Sequence, residues 1–466
     1  MVGRDTPGRR LSRVPDVSLA DAAADTHDAV VIGAGPSGSS CGFWLADAGW
    51  DVVVLEKKQL PREKTCGDGL TPRAVRQLAD MGLEDAVAAA GHRYDGLRAV
   101  GFGREMELAW PAHPTFPSYG YTITRYDLDA LVAEHASSRG ASLVFGAEVT
   151  EPFEFVPPMR DDELGSVSGV VAIDGATGEA TTLRSRYVVV ADGANSRLGR
   201  ALGASRRREW PMGMGLRGYW TSPRHDDRFI ESHIDIRDVE GNVVPGYGWV
   251  FPLGDGRVNV GVGLLSTDRS WKGVNTTKLM EAFLAQLDPS WGITEETCLG
   301  PSTGGKLPMG LSVGPHAGEN VVVTGDAAGA INPFNGEGIA YGYETGRLAA
   351  TAVGAALLGA GPRGLDAYDV QLAELYGDYF KVARGFVRLI SDPSVMQACV
   401  GVGMRSEWLM SKLLAIMANL LRPDDLGAAE LGYRAINALA RSVPDRALEA
   451  MLASFDERAA ARVASH

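Results

Sequence analysis

Three features of the chain predict an α/β fold with a parallel ligand-binding sheet and an antiparallel hairpin beside it. First, 28-DAVVIGAGPSGSSCGFWLADAGWDVVVLEKK-58 reads as strand, glycine turn, helix, strand and acid. Second, the apolar runs in 186-RYVVVADG-193 and 320-NVVVTGDAAG-329 both lead to an aspartate. Third, 245-PGYGWVFP-252 alternates glycine with aromatic residues before a Leu-Gly-Asp-Gly turn and a valine-rich return. With 466 residues, 45% of them hydrophobic, and 58 glycines, the chain can bury a substantial core in two or three domains.

The first strand is expected over 29–32, a short apolar run suited to a parallel sheet covered on both faces. Gly33, Gly35 and Gly38 then form GxGxxG, and Pro36 opens a helix expected over 36–48. The glycines allow a tight turn, close approach of a pyrophosphate and close helix–strand packing. The helix N-terminus adds backbone N–H groups and a favourable dipole for that anion. A second strand over 51–55 ends at Glu56, placed to accept hydrogen bonds from ribose hydroxyls. The segment 359-GAGPRG-364 fits the same glycine pattern, but it follows an alanine-rich helix rather than a strand. It reads as a helix stop, not a second nucleotide site.

Asp192 and Asp326 fall at the carboxyl ends of their strands, where open α/β sheets bind ligands. Gly325 and Asp326 precede a loop and a helix that begins near Ile339. The Gly336–Gly338 turn can present helix N–H groups to a developing negative charge. In 245–252, Tyr247, Trp249 and Phe251 occupy alternate positions and therefore one face of a strand. Gly246 and Gly248 occupy the other face, where a neighbour must approach closely. The returning strand, 258–263, alternates valine with Asn259, Gly261 and Gly263. Periodicity alone makes that aromatic face ordinary core.

Composition removes several alternatives. A net charge of −13 argues against nucleic acid, whose phosphates require a basic surface. The four cysteines, Cys41, Cys66, Cys298 and Cys399, are widely spaced, so neither a disulfide framework nor a zinc site is expected. That usage fits a cytoplasmic protein. No apolar run reaches the length of a membrane span. The first 27 residues carry four arginines without an apolar core, so a flexible tail is expected there rather than a signal peptide. Cys66, in 64-KTCGDGLTPRA-74, is either a small residue in a tight loop flanked by Gly67 and Gly69 or a proton-donating thiol. Residues 404–422 carry apolar side chains at helical spacing, and further helices are expected over 424–455. That helical region either packs on the body or lies on a membrane surface.

The GxGxxG…Glu, DG and GD segments together resemble the hydroxylase-like flavoprotein superfamily. The segments 61-PREKTCGDGLTPRAV-75, 245-PGYGWVFPLGDGRVNVGVG-263 and 325-GDAAGAINPFNGEGIAYGYETGR-347 resemble its geranylgeranyl reductase family. Within that family, 66-CGDGLTPRAV-75, 117-PSYG-120 and PGYGW are similar to the actinobacterial menaquinone reductases, which saturate one isoprene unit of the quinone tail. The resemblance spans about residues 28–350. It departs from the aromatic hydroxylases at Gly329, where they carry His, and at Gly199, where they carry Arg, with Arg200 following here.

The resemblance implies an FAD-binding Rossmann-like domain, discontinuous over 26–92, 121–203 and 298–360, after a tail over 1–25. An antiparallel substrate domain takes 93–120 and 204–297, and a helical region takes 361–466. It implies FAD contacts from Gly33, Gly35, Pro36, Gly38, Glu56, Cys66, Gly67, Arg125, Asp192, Gly325, Asp326, Gly336, Gly338 and Ile339. Substrate contacts fall to Tyr247, Trp249, Phe251, Gly261 and Gly263, and catalytic roles to Cys66, Tyr247 and Trp249, with no metal. Trp110, Phe116, Tyr119, Tyr219 and Trp220 are further candidates for an apolar tunnel.

The implied reaction is FAD-dependent reduction of isoprenoid C=C bonds, with a menaquinone tail as the leading substrate. Geranylgeranyl diphosphate or a geranylgeranyl lipid is the alternative, and a flavin monooxygenase or halogenase the rival of another class. Electrons come from NAD(P)H, a ferredoxin or a separate reductase, which the sequence does not choose between. A prenylquinone substrate also implies peripheral contact with the inner face of the membrane.

Overall fold

The computed structural model describes residues 16–266, 274–421 and 428–442. A mainly parallel sheet runs in the order Ser142–Phe145, Val52–Glu56, Thr26–Ile32, Ala180–Val190. Gly169–Asp174 and Ala147–Phe153 continue it antiparallel, and Val321–Val323 pairs in parallel with the upper end of Ala180–Val190. The register pairs Ile32 with Leu55 and Val190, and Val190 with Val323. Gly33, Glu56, Asp192 and Gly325 therefore emerge along one edge of the sheet. The valines of these strands are buried on both faces, as their unbroken apolar runs require.

Helices Pro36–Asp47, Arg125–Ser138 and Ile339–Ala355 cover one face of this sheet. Pro36–Asp47 and Ile339–Ala355 lie so close that a Cβ on Gly346 would stand 2.3 Å from the Ser37 carbonyl oxygen. Ser40 Oγ donates to the Tyr343 carbonyl at 2.9 Å, which ties the two helices together, and Ser37 Oγ donates to Thr324 Oγ1 at 2.9 Å, which ties the first of them to the end of strand Val321–Val323. The 359–364 glycines lie where the chain turns from the end of that helix into Pro362–Leu372, with Gly359 at φ 105° and Gly361 at φ 58°. This matches the helix stop expected there.

The second sheet, mainly antiparallel, runs Thr303–Pro308, Met212–Thr221, Arg257–Leu265, Gly246–Pro252, Phe229–His233, Gly96–Gly101, Arg104–Ala109, with Phe229–His233 and Gly96–Gly101 paired in parallel rather than antiparallel as expected. It thus extends to Pro308, past the expected boundary at 297, because Met212–Thr221 has a free edge that Thr303–Pro308 completes. The boundaries expected near 92 and 120 both fall in a small sheet of Gly69–Leu70, Gly120–Thr122 and His92–Tyr94, which joins the two units.

One face of the antiparallel sheet packs on helix Thr276–Gln286, through Val250, Val258, Val260, Val262, Phe283 and Trp291. Gly248 is the close-approach position: a Cβ there would lie 2.4 Å from the Phe283 ring. Trp220 belongs to this core, on the face opposite Trp249, so it is not a tunnel residue. Trp110 packs beneath the C-terminal helices Pro393–Gly403 and Glu407–Met417 with Met404, Met410 and Leu414. Tyr119 is drawn aside by Glu84, to which its hydroxyl donates at 2.5 Å.

The helical C-terminal region expected from 361 is present where described, to the helix Ala428–Ser442; the rest of 424–455 lies outside the described residues. Of the tail expected over 1–25, residues 1–15 also lie outside them. Leu19–Ala22, however, form a helical turn capped by Ser18, because Leu19 and Ala22 bury against the sheet. Among the described residues no helix is long and apolar enough to cross a membrane.

Gly346→Ala is expected to destabilise the protein by about 1–3 kcal/mol, since backbone rather than a movable side chain would meet the new methyl. A lower thermal midpoint checks it, and an unchanged midpoint would show that the two helices can separate without cost.

Candidate active site

At the edge of the parallel sheet, Gly33 adopts φ 102°, and a Cβ on Gly38 would collide with the Gly33 carbonyl oxygen at 1.8 Å. Both positions therefore need glycine. Above Gly35 the nearest groups are the guanidinium tips of Arg62 and Arg125, each 3.9 Å from where a Cβ would stand. A glycine turn and helix N-terminus roofed by two cations form a receptacle for a diphosphate. Glu56 closes one side: its Oε2 accepts from Ala34 N at 3.1 Å and Arg62 Nη2 at 3.2 Å.

The family resemblance pointed to Arg125 but not to what aims it. Asp129, 2% exposed, accepts from Arg125 Nε at 2.6 Å and Nη2 at 2.7 Å, and from Arg62 Nη1 at 3.0 Å. Arg125 and Asp129 are one helical turn apart, a spacing that was the available signal. Across the sheet edge, Asp192 Oδ1 is buried with no hydrogen-bond partner among the described residues. Asp326 Oδ1 lies 3.2 Å from the Cβ position of Gly338, so Gly325, Asp326, Gly336 and Gly338 line one corner. Gly338 caps the helix that begins at Ile339. An orphaned buried carboxylate oxygen and a cation-roofed glycine turn fit a dinucleotide at this edge.

The Cys66–Gly69 loop lies between this edge and the aromatic face of the antiparallel sheet. On the sheet side, Cβ atoms on Gly67 and Gly69 would stand 3.1 and 2.9 Å from the Phe251 ring. Trp249 lies between Tyr247 and Phe251, with ring centroids 5.7 and 6.3 Å away. Gly261 makes room for it, since a Cβ there would be 2.2 Å from the indole; Gly263 does the same for Tyr247 at 3.3 Å. Tyr247 reaches the other unit: its hydroxyl donates to the Asn335 carbonyl at 2.9 Å and sits 3.0 Å from the Cβ position of Gly336.

Asp68 and Asn259 organise the loop. Asp68 is fully buried at φ 64°, and its Oδ2 accepts from the Tyr219 hydroxyl at 2.6 Å and Asn259 Nδ2 at 2.8 Å. Its Oδ1 accepts from the Arg125 backbone N–H at 3.2 Å. Burial pushes the Asp68 carboxyl up to about 6, partly offset by these donors and by Arg217. Asn259 also donates to the Cys66 carbonyl at 2.8 Å and accepts from Trp249 Nε1 at 2.9 Å. Tyr219, expected in the tunnel, instead spends its hydroxyl on Asp68. Burial pushes the Cys66 thiol up, Asp68 adding to the effect, while Arg125 and the Asp68 backbone N–H oppose it. A thiol held in this way stays protonated at neutral pH and has two donors beside it to receive a thiolate.

Glu337 was not anticipated. It is the residue between Gly336 and Gly338, and its Oε1 accepts from the Thr71 hydroxyl that caps helix Pro72–Asp80. Burial pushes Glu337 up to about 7 despite Thr71 and Arg73. It ties the 336–338 turn to the segment that follows the Cys66–Gly69 loop.

Comparison with known proteins places these features in context. Residues 26–226 match the FAD binding domain family. The menaquinone reductase of Mycolicibacterium smegmatis is 40% identical over 419 residues, covering 90% of this chain and 98% of its own. The geranylgeranyl diphosphate reductase of Rhodobacter capsulatus is 30% identical, covering 77% of this chain and 83% of its own. Among solved structures, a geranylgeranyl bacteriochlorophyll reductase-like protein from Thermoplasma acidophilum superposes with a TM-score of 0.67. It is 20% identical and the match covers 90% of this chain and 99% of that one.

A group whose folded-state pKa is raised, such as Glu337, lowers stability once pH exceeds its unfolded value of 4.5, and the loss is complete above about 7. Glu337→Gln keeps the acceptor for Thr71 and removes the charge. Its thermal midpoint is expected to rise relative to the unmodified protein between pH 5 and pH 8. A difference independent of pH would show that Glu337 does not titrate there.

Proposed function

The chain belongs to the menaquinone reductase family of FAD-dependent isoprenoid reductases, and from that premise we propose that it saturates a C=C bond in a menaquinone tail. The observation that carries the reading is the Cys66–Gly69 loop, packed on the Phe251 ring on one side and bound through Asp68 to the Arg125 backbone on the other. A prenyl chain held on the aromatic face would thereby lie next to the cofactor edge. Bound FAD supplies the hydride. Gly33, Gly35, Pro36, Gly38, Glu56 and Arg125 hold its diphosphate and adenosine end in this reading. Asp192, Gly325 and Asp326 would receive its sugar-alcohol chain, and Gly338 and Ile339, at the start of their helix, would face its ring; the N–H of Gly336, expected there as well, is instead spent on the Asn332 carbonyl at 2.9 Å.

The isolated alkene has no electron-poor carbon, so the protein must supply both a proton and a host for positive charge. Cys66 is the proton donor in this reading: its buried thiol stays protonated, and Arg125 and the Asp68 N–H meet the thiolate left behind. The alkene carbon that takes the thiol proton leaves positive charge on its more substituted neighbour. Trp249, flanked by Tyr247 and Phe251, presents its π-face to that carbon. A desolvated aromatic face is worth about 2 kcal/mol to a cation, which is roughly thirtyfold in rate. Gly261 and Gly263, expected to touch substrate, are instead covered by the Trp249 and Tyr247 rings and seat them on the sheet.

The membrane as the source of substrate is supported by Val402, Trp408 and Leu409, which are exposed beside Arg405 on the two C-terminal helices. Their inner sides, Met404, Met410 and Leu414, pack over the Gly96–Ala109 strands in the same apolar cluster as Phe251.

Anaerobic, chemically reduced enzyme incubated with menaquinone and, separately, with geranylgeranyl diphosphate is expected to add two hydrogens to the quinone, read by mass spectrometry. Hydrogenation of the diphosphate alone would move the assignment to the alternative substrate. Trp249→Leu should slow hydrogen transfer by roughly thirtyfold with FAD affinity retained, and equal losses in both would refute its role. Cys66→Ala should slow it as well, and full turnover would make the thiol packing only. Trp408→Asp is expected to reduce sedimentation with anionic vesicles without changing turnover of detergent-solubilised substrate.

A further inference from the structure

The aromatic face is wired to a buried charge. Trp249 Nε1 donates to Asn259 Oδ1 at 2.9 Å, and the same amide donates from Nδ2 to Asp68 Oδ2 at 2.8 Å. Trp249 is 7% exposed, while Asp68 and Asn259 are fully buried. The chain carboxylate–amide–indole therefore runs through a dry interior, where hydrogen bonds polarise one another and water does not screen them. Electron density pushed along it accumulates on the indole at its N–H end, and an indole richer in π-electrons attracts a cation more strongly.

We propose that the Asp68 carboxylate acts through Asn259 on Trp249, making the indole face a better host for the positive charge that develops on the alkene. This rests on the role assigned to Trp249 above. Asp68 is a positioning and polarising group here, not one that touches substrate.

The surroundings of Asp68 suit the task. It faces Tyr219 and Arg217 from strand Met212–Thr221, Asn259 from strand Arg257–Leu265, the Arg125 N–H at the start of its helix, and Cys66 within its own loop. The thiol of Cys66 and the hydroxyl of Tyr219 are both pushed up from their ordinary values, so neither changes charge between pH 5 and 7. Asp68 does change charge in that interval, being pushed up to about 6 by burial. Glu337 titrates nearby in pH, but it faces Thr71 and Arg73 rather than the indole chain. Polarisation of Trp249 should accordingly be present above pH 6 and lost below it.

Fluorine placed on the Trp249 ring reads that polarisation directly. The oxidised holoenzyme is prepared with 5-fluorotryptophan, and the Trp249 resonance is identified by its loss in Trp249→Phe. In the unmodified sequence its chemical shift is expected to titrate with a midpoint near pH 6. In Asp68→Asn, which keeps the shape and tolerates the left-handed backbone, that titration should vanish. Single-turnover hydrogen transfer should fall on acidification through pH 6, and in Asp68→Asn it should be slower by roughly tenfold at pH 8 and flat with pH. A resonance that does not titrate between pH 5 and 7, or titrates equally in Asp68→Asn, overturns the proposal. If Trp249→Leu leaves hydrogen transfer unchanged, the underlying role of Trp249 fails whatever the resonance does. If that variant is slow while the resonance ignores Asp68, only the present inference fails.

Discussion

A carboxamide buried in a β-sheet has two N–H groups and an oxygen to satisfy, and at Asn259 each is used on a different part of the site. One N–H holds the Cys66 carbonyl, the other the Asp68 carboxylate, and the oxygen holds the Trp249 indole. Leaving any of these unmet in a dry interior costs on the order of 1–3 kcal/mol, so the arrangement resists partial disruption. The loop's height above the sheet, the tilt of the indole and the direction of the Asp68 side chain all follow from this one residue. The parallel-sheet edge is tied in by the Arg125 N–H on Asp68, which fixes the glycine turn relative to the aromatic face.

Much of the frame was legible in the sequence because its signals are local. The glycine spacing at 33–38 specifies a turn that no other residue can make, and the alternation of 247, 249 and 251 fixes a shared face by strand geometry alone. The decoy at 359–364 was separable because a strand must precede a nucleotide turn and none does. Parity also placed Asn259 on the face of Gly261 and Gly263, which the structure keeps. What parity did not convey is that this asparagine would meet a loop 191 residues earlier.

The misses share that cause. Trp220 and Tyr219 are neighbours on one strand, so they face opposite sides, and only one of them can reach the loop. Arg62 and Arg125 reach Gly35 from separate elements, both held by Asp129, and Glu337 looked like one acid in a glycine-rich turn until burial and Thr71 were placed around it. Burial decides the chemistry of Asp68, Cys66 and Glu337, and burial is a property of the assembled sheets rather than of any short segment.

The small sheet of Gly69–Leu70, Gly120–Thr122 and His92–Tyr94 carries a consequence of its own. The chain crosses between the two units in its strands, directly beside the loop that both units grip. A ligand that orders the glycine turn and one that orders the aromatic face must then draw on the same segment. Whatever affinity one gains from the other being present, the other gains equally, because free energies around a closed cycle must sum to zero. Occupancy of the two halves is thereby a shared quantity, and neither half can drift in sequence without retuning its neighbour.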